Sequence, residues 1–202
     1  FKVNEVMQLD ADVDLSVKDG RYGDAPLPLI EVKAKAAKGE AVIEACRVIV
    51  DERNHIDLTG KGMLASPMSF DAKGNVELPE LKSLNALLAV LKAPAIESGS
   101  VMAKFEAAGD AAPFKLKPGL LTMQAAKVKV AGMPEAADVN LKTTFEGTTA
   151  QIEMLQAVLG PWKLLTKGVV TEKEANMSEL NFWQKERQLM SGHARAPFDV
   201  MQ

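Results

Sequence analysis

From Ile56 to Leu78 the chain keeps a period of two. Ile56, Leu58, Gly60, Gly62 and Leu64 fall on one parity, Asp57, Thr59 and Lys61 on the other, and only Met63 departs from the rule. After Ser66-Pro67 the alternation resumes, with Met68, Phe70, Ala72, Gly74, Val76 and Leu78 against Ser69, Asp71, Lys73, Asn75 and Glu77. Successive side chains of a strand point to opposite sides, so each stretch has one apolar and one polar face. This is the pattern of a half-buried strand, and a turn near Ala65-Ser66-Pro67 makes the two an antiparallel pair.

The pattern recurs along the chain. Val13, Leu15 and Val17 oppose Asp12, Asp14, Ser16 and Lys18, and Asp19-Gly20 supplies turn chemistry. Val101, Ala103 and Phe105 oppose Met102, Lys104 and Glu106; Val128 and Val130 oppose Lys127 and Lys129. Val139, Leu141 and Phe145 oppose Asn140, Lys142, Thr144 and Glu146, and Trp162 to Val170 forms a less regular late strand. Roughly twelve to fourteen strands result, spaced about a dozen residues apart as in an all-β chain. Between Ala36 and Val50, Glu44 and Arg47 take opposite parities, which predicts a bulge; Gln151 to Leu159 reads equally as strand or helix.

One segment changes period. From Pro79 to Lys92, Leu81, Leu84, Leu87, Leu88 and Leu91 make a helical apolar stripe, with Pro79 in the first turn and Pro94 beyond the end. Its polar side carries few basic residues, so it is expected to pack on the sheet rather than on a membrane surface. A weak internal repeat links Ala41-Val42-Ile43-Glu44 to Ala150-Gln151-Ile152-Glu153, and Leu58-Thr59-Gly60-Lys61-Gly62 to Leu165-Thr166-Lys167-Gly168. The two copies span about 41–78 and 150–192 of one continuous unit, 1–202. Phe1 in place of Met, and Ala196-Pro197-Phe198-Asp199-Val200 reading as the start of another strand, point to a segment of a longer protein.

Few side chains of this chain fall into patterns that carry chemistry. With 24 basic against 27 acidic residues, there is no positive excess to neutralise phosphates, so nucleic acid is excluded as a partner. Cys46 is alone, which excludes an internal disulfide, and His55 and His193 are too far apart in sequence to suggest a metal site. Cys46 is expected to be a buried structural thiol and His55 to lie at a hairpin tip. Asp10-Ala11-Asp12-Val13-Asp14 opens like a calcium loop but lacks its glycine and closing glutamate; alternation places the three carboxylates on one solvated strand face. No glycine-rich phosphate loop and no activated nucleophile emerge, so neither an enzyme nor a cofactor is expected. The longest apolar run, Ala86 to Leu91, falls well short of the ~20 residues that span a bilayer. What remains is a large apolar strand face. Either a second sheet closes it into a sandwich, or it stays open as a groove.

The strings IDLTGKGMLASPMSFDAKGNVELPELKSLNALL and APAIESGSVMAKFEAAGD, from Ile56 to Asp110, carry a resemblance. Strands with Gly60 and Gly62, the leucine-rich helix Leu81 to Leu91, and the strand opened by Ser98-Gly99-Ser100-Val101 follow one another as in the translocation and assembly module subunit (TamB) family of the AsmA-like group. The resemblance implies a mainly β fold: a long, curved antiparallel sheet, a taco or trough with an apolar concave face and one short amphipathic helix near 79–92. It further implies a periplasmic protein with an inner-membrane anchor elsewhere in the parent, carrying phospholipid between the two membranes of a Gram-negative envelope. Phospholipid acyl chains would be its ligand, and an outer-membrane barrel would be a partner through other parts of the parent. Alternatives are a scaffold for outer-membrane protein or autotransporter assembly by strand addition, and a closed sandwich that binds a partner. The residues expected to line the lipid groove are Val13, Leu15, Val17, Ile56, Leu58, Leu64, Met68, Phe70, Val76, Leu78, Val101, Phe105, Val128, Val130, Val139, Leu141 and Phe145.

Overall fold

The computed structural model describes residues 9–22, 25–133 and 136–198. Alternation of apolar and polar residues becomes strand almost everywhere. The first strands are β1 (Asp10–Val17), β2 (Arg21–Tyr22), β3 (Ala25–Pro26), β4 (Leu29–Ala37), β5 (Glu40–Ile49), β6 (His55–Met63) and β7 (Ser69–Leu78). A helical segment follows, then β8 (Ile96–Ala111), β9 (Phe114–Leu116), β10 (Gly119–Val130), β11 (Ala137–Glu146), β12 (Thr149–Leu159), β13 (Trp162–Val170), β14 (Glu174–Gln184) and β15 (Arg187–Pro197). Thirteen of these make one antiparallel sheet in the order β1-β4-β5-β6-β7-β8-β10-β11-β12-β13-β14-β15, with β9 paired to β8; β2 and β3 form a separate two-stranded ribbon. Gln151 to Leu159 is therefore strand. Ala196 and Pro197 end β15 rather than begin a further strand, and Asp199 and Val200 of that expectation lie outside the described residues, as does Phe1.

The sheet is open. Each main-sheet strand packs on its neighbours in the sheet, and among the described residues no second sheet lies across either face. The sandwich alternative therefore lacks its second layer. In a single layer, a strand residue is buried only when neighbours on its own side close over it. The buried strand residues are Leu78, Gly109, Ala125, Thr143, Thr166 and Gly168, and all six point to the same, apolar, side. That side is the inside of the curl.

Bulges help to bend the sheet, because an extra residue in one strand turns it relative to its partner. The register slips between Ile43 and Cys46 on β5, Ala125 and Val128 on β10, Ile152 and Leu155 on β12, and Met177 and Leu180 on β14. The expected bulge near Glu44 is the first of these. The hairpins β5–β6 and β12–β13 slip at matching places: Ile43 pairs with Gly60 and Cys46 with Leu58, as Ile152 pairs with Gly168 and Leu155 with Thr166.

The leucine stripe forms the expected short helical segment, Leu81 to Val90, with its first turn tightened. A 3-10 turn at Leu81–Leu84 is followed by α1 (Asn85–Val90), six residues in all. Asn85 anchors the segment to the sheet. Its amide donates to the Ile96 carbonyl and accepts from the Ile96 N–H, both at 2.8 Å, so it is tied to β8. The 3-10 turn packs on β8 and α1 on β3. Because β3 leads directly into β4, the segment reaches across the ends of the strands between β4 and β8.

The turn between β5 and β6 meets the start of this segment. The Asp51 carboxylate accepts hydrogen bonds from the Ser83 hydroxyl, the Arg53 and Asn54 N–H groups and the Asn54 amide. These donors stabilise the ionised form and hold Asp51 well below the usual carboxylate range. Its folded pKa is lowered, so its contribution is present above the unfolded pKa of about 4 and is lost as pH falls below it. Asp51→Asn should therefore be less stable than wild type at neutral pH, and denaturant melts should show the gap narrowing as pH drops below about 4. A gap that stays constant with pH would refute the assignment.

Candidate functional site: the uncharged face

Antiparallel partners share a face, so the register alone sorts every strand residue to one side of the sheet. On one side, Val13, Leu15 and Val17 of β1 stand opposite Ala34, Val32 and Ile30 of β4. Ile30 and Val32 in turn oppose Val48 and Cys46 of β5, which oppose Ile56 and Leu58 of β6. Ile56 opposes Val76 of β7, and Val76 and Leu78 oppose Ala103 and Val101 of β8. The row continues through Met123 of β10, Leu141 of β11, Leu155 of β12, Thr166 of β13 and Leu180 of β14 to Gly192 of β15. Across these twelve strands no charged side chain occupies this side until Arg187, opposite Gln184 at the β14–β15 turn.

The other side holds the charge. Lys33–Asp14, Lys35–Glu44, Lys73–Glu106, Lys129–Glu97, Lys142–Glu153 and Lys167–Glu179 bridge neighbouring strands there. So do Arg47–Asp57 and Arg195–Glu174, and His55 stands 3.3 Å from Asp57 and 3.6 Å from Glu77. Every ion pair among the described residues lies on this side. Exposed pairs of this kind add little stability each; their collective effect is to fix which face meets water.

Two threonines interrupt the apolar face without wetting it. The Thr143 hydroxyl donates to the Gln151 carbonyl at 2.9 Å, and the Thr166 hydroxyl to the Glu179 carbonyl at 2.7 Å. Both carbonyls lie beside bulges, where the ladder is irregular. The hydroxyls are spent on the backbone, and their methyl groups remain for the surface.

Small residues keep the floor low. A Cβ on Gly74 would lie 2.1 Å from the ring of Phe105, and one on Gly119 would lie 2.4 Å from the ring of Phe145. Each phenylalanine thus lies flat across a glycine of the next strand instead of standing upright. Two shallow hollows open on the face. One, of about 250 Å³, is lined by Ile43, Leu58, Leu64, Met68 and Phe70. The other, of about 370 Å³, is lined by Ala157, Leu159, Trp162, Leu164 and Phe182, with the Trp162 and Phe182 rings stacked at 5.3 Å. A larger hollow, about 480 Å³, lies on the charged side among Asn75, Glu77, Met102, Lys104, Gln124 and Lys142. There it is the space between long and short polar side chains, and hollow volume alone does not select a face.

The structure gathers all the expected groove residues on the uncharged side. Val13, Leu15, Val17, Ile56, Leu58, Phe70, Val76, Leu78, Val101, Phe105, Val139, Leu141 and Phe145 take their places through unbroken register. Leu64 and Met68 join through the β6–β7 connection, and Val128 and Val130 follow the β10 bulge. Alternation missed Ile43 with Cys46, Ile152 with Leu155, and Met177 with Leu180. A spacing of three inside a strand was the available signal, since a bulge returns the third residue to the same side. Cys46 is half-buried on this face and free, and His55 opens β6 on the charged face beside the turn. Among the described residues no cluster of His, Cys, Asp or Glu has the geometry to hold a metal ion, and no helix is long and apolar enough to cross a membrane. No protein-family profile, curated protein or solved structure matches the chain.

Proposed function

We propose that the sheet shields phospholipid acyl chains on its uncharged face, as one segment of a lipid conduit across the periplasm. The observation that carries this reading is the segregation of charge: across the twelve strands the described residues place no charge on the inner face before Arg187 at the β14–β15 turn, and every ion pair on the outer one. At about 4.8 Å between strands, the face runs roughly 50 Å across the strands. That is several times the ~15 Å of one hydrocarbon leaflet. Each methylene removed from water contributes ~0.8 kcal/mol, so a low aliphatic floor can hold a chain without a specific pocket. Such a surface resists no sliding along its length, and it needs neither a catalytic group nor a cofactor. The TamB-like order of strand, leucine-rich helix and strand supports the same reading, and with it the periplasmic setting, an inner-membrane anchor in the parent and an outer-membrane barrel partner. The outward sides of β1 and β15, with which no described residue pairs, favour a second reading, a scaffold that templates strands of outer-membrane proteins.

Native mass spectrometry with lipid extraction, on the chain purified from a bacterial envelope, tests the first reading. Co-purifying phospholipid is expected. A clean protein mass under gentle conditions, with no lipid in the extract, would overturn it.

A further inference from the structure

Arg187 is the one charge that the described residues place on the inner face, and its position is the rim of the sheet. It opens β15 directly after the turn residues Lys185 and Glu186, and it is exposed. Register sets it in one row with Gln184, Trp162 and Leu159, each the first or last residue of its own strand. The next row inward is Met190, Phe182, Leu164 and Ala157. Between these rows opens the hollow of about 370 Å³ that holds the stacked Trp162 and Phe182 rings. Trp162 is 37% exposed and Met190 49%, so the hollow is accessible from the inner side. From Trp162 to Arg187 is two strand spacings, about 10 Å.

The guanidinium has no acid to neutralise it. Among the described residues Arg187 makes no ion pair, whereas Arg195, on the outer face of the same strand, is held by Glu174. A guanidinium donates in a planar fork that matches two oxygens of a phosphate. The exposed amide of Gln184 stands between it and the aromatic rings and can donate to an ester carbonyl. Within one corner the surface therefore passes from aromatic hollow to amide to positive charge. Tryptophan takes the same level at the membrane interface, where one side of the ring meets hydrocarbon and the other meets water.

We propose that this corner is a headgroup station: Arg187 takes the phosphate of a phospholipid while one acyl chain of the same molecule lies against Trp162 and Phe182. The proposal rests on the conduit reading and adds to it a residue that orients the cargo. The headgroup stays at the strand ends, in water, and the chains lie inward on the floor. A free phosphate would use the charge but not the hollow, and a neutral diacylglycerol the hollow but not the charge. Only the phospholipid engages both.

Trp183→Phe leaves Trp162 as the only tryptophan, so its fluorescence reports on the hollow. In that background, dihexanoyl phosphatidylglycerol below its micelle concentration should bind and shift the emission. Arg187→Gln should weaken this binding by about tenfold, and Arg187→Lys by less. Neither change should alter binding of dihexanoylglycerol, which lacks the phosphate. Inorganic phosphate at the same concentration should leave the lipid in place. Far-ultraviolet circular dichroism checks that each variant keeps the sheet. Equal affinity of wild type and Arg187→Gln for the phospholipid would overturn the proposal and leave the conduit standing. So would an equal loss with Lys185→Asn at the turn tip, an equal loss for both lipids, or displacement by inorganic phosphate. Absence of lipid from the wild type, here and in the native mass spectrum, would overturn both.

Discussion

Phe70→Arg is expected to strip bound phospholipid from the chain while leaving the sheet standing. Phe70 lies on β7 between Gly62 of β6 and Gly109 of β8, on the inner face and beside the hollow shared with Leu58 and Met68. A guanidinium held at hydrocarbon costs ~3 kcal/mol on insertion scales. That is about a hundredfold in retained lipid at this position. The fold should tolerate it, because the face is open and arginine can lay its stem along the floor while its head reaches water. Leu141→Arg, on β11, repeats the experiment at a distance. Ser69→Arg, one residue away but on the charged side opposite Asp110, is the control and should retain lipid. Lipid retained by Phe70→Arg and Leu141→Arg alike would sink the groove reading.

Asn54→Ala should cost about 2–3 kcal/mol of unfolding free energy, an unusual loss for a turn residue. Asn54 is fully buried, although it lies in the turn between β5 and β6. Its amide donates to Asp51 at 2.6 Å and accepts from the Glu80 N–H at 3.1 Å, and its own carbonyl takes the Val50 N–H at 2.9 Å. Alanine keeps the carbonyl but leaves the Glu80 N–H without its acceptor and the Asp51 carboxylate with one donor fewer. Glu80 begins the helical segment, so the loss should also free that segment from the end of the sheet. Faster amide exchange at Leu81 to Val90, with β12 to β14 unchanged, would mark the latch; a uniform rise across the chain would argue against it.

Much of this architecture can be read directly from residue order. Between Ile56 and Leu78 the strands carry no bulge, so parity in the sequence equals side in the structure. The same holds for Val13 to Val17 and Val101 to Phe105. Where a bulge intervenes, parity inverts partway along the strand. On β12, Ile152 and Leu155 share a side although they are three apart, which is why that stretch resembled a helix. The short helix falls at Leu81 to Val90, within the expected 79–92, but leucine spacing shows neither its 3-10 first turn nor Asn85, whose amide is committed to the backbone of Ile96. The Asn54 and Asp51 latch was not legible either. It joins residues far apart in the chain, and Asn near Asp in a turn looks like ordinary turn chemistry.

A sheet with no second layer behaves as a one-dimensional array. Each main-sheet strand is held chiefly by its two neighbours in the path. Its stability is therefore close to a sum of nearest-neighbour terms, as in repeat proteins, rather than the property of one shared core. Loss of one interior pairing severs the array without loosening strands beyond it, and fraying starts from the ends. The same lack of backing leaves the curl compliant. Small changes in twist between successive strands add up along the path, so the width of the curl can change without any hinge.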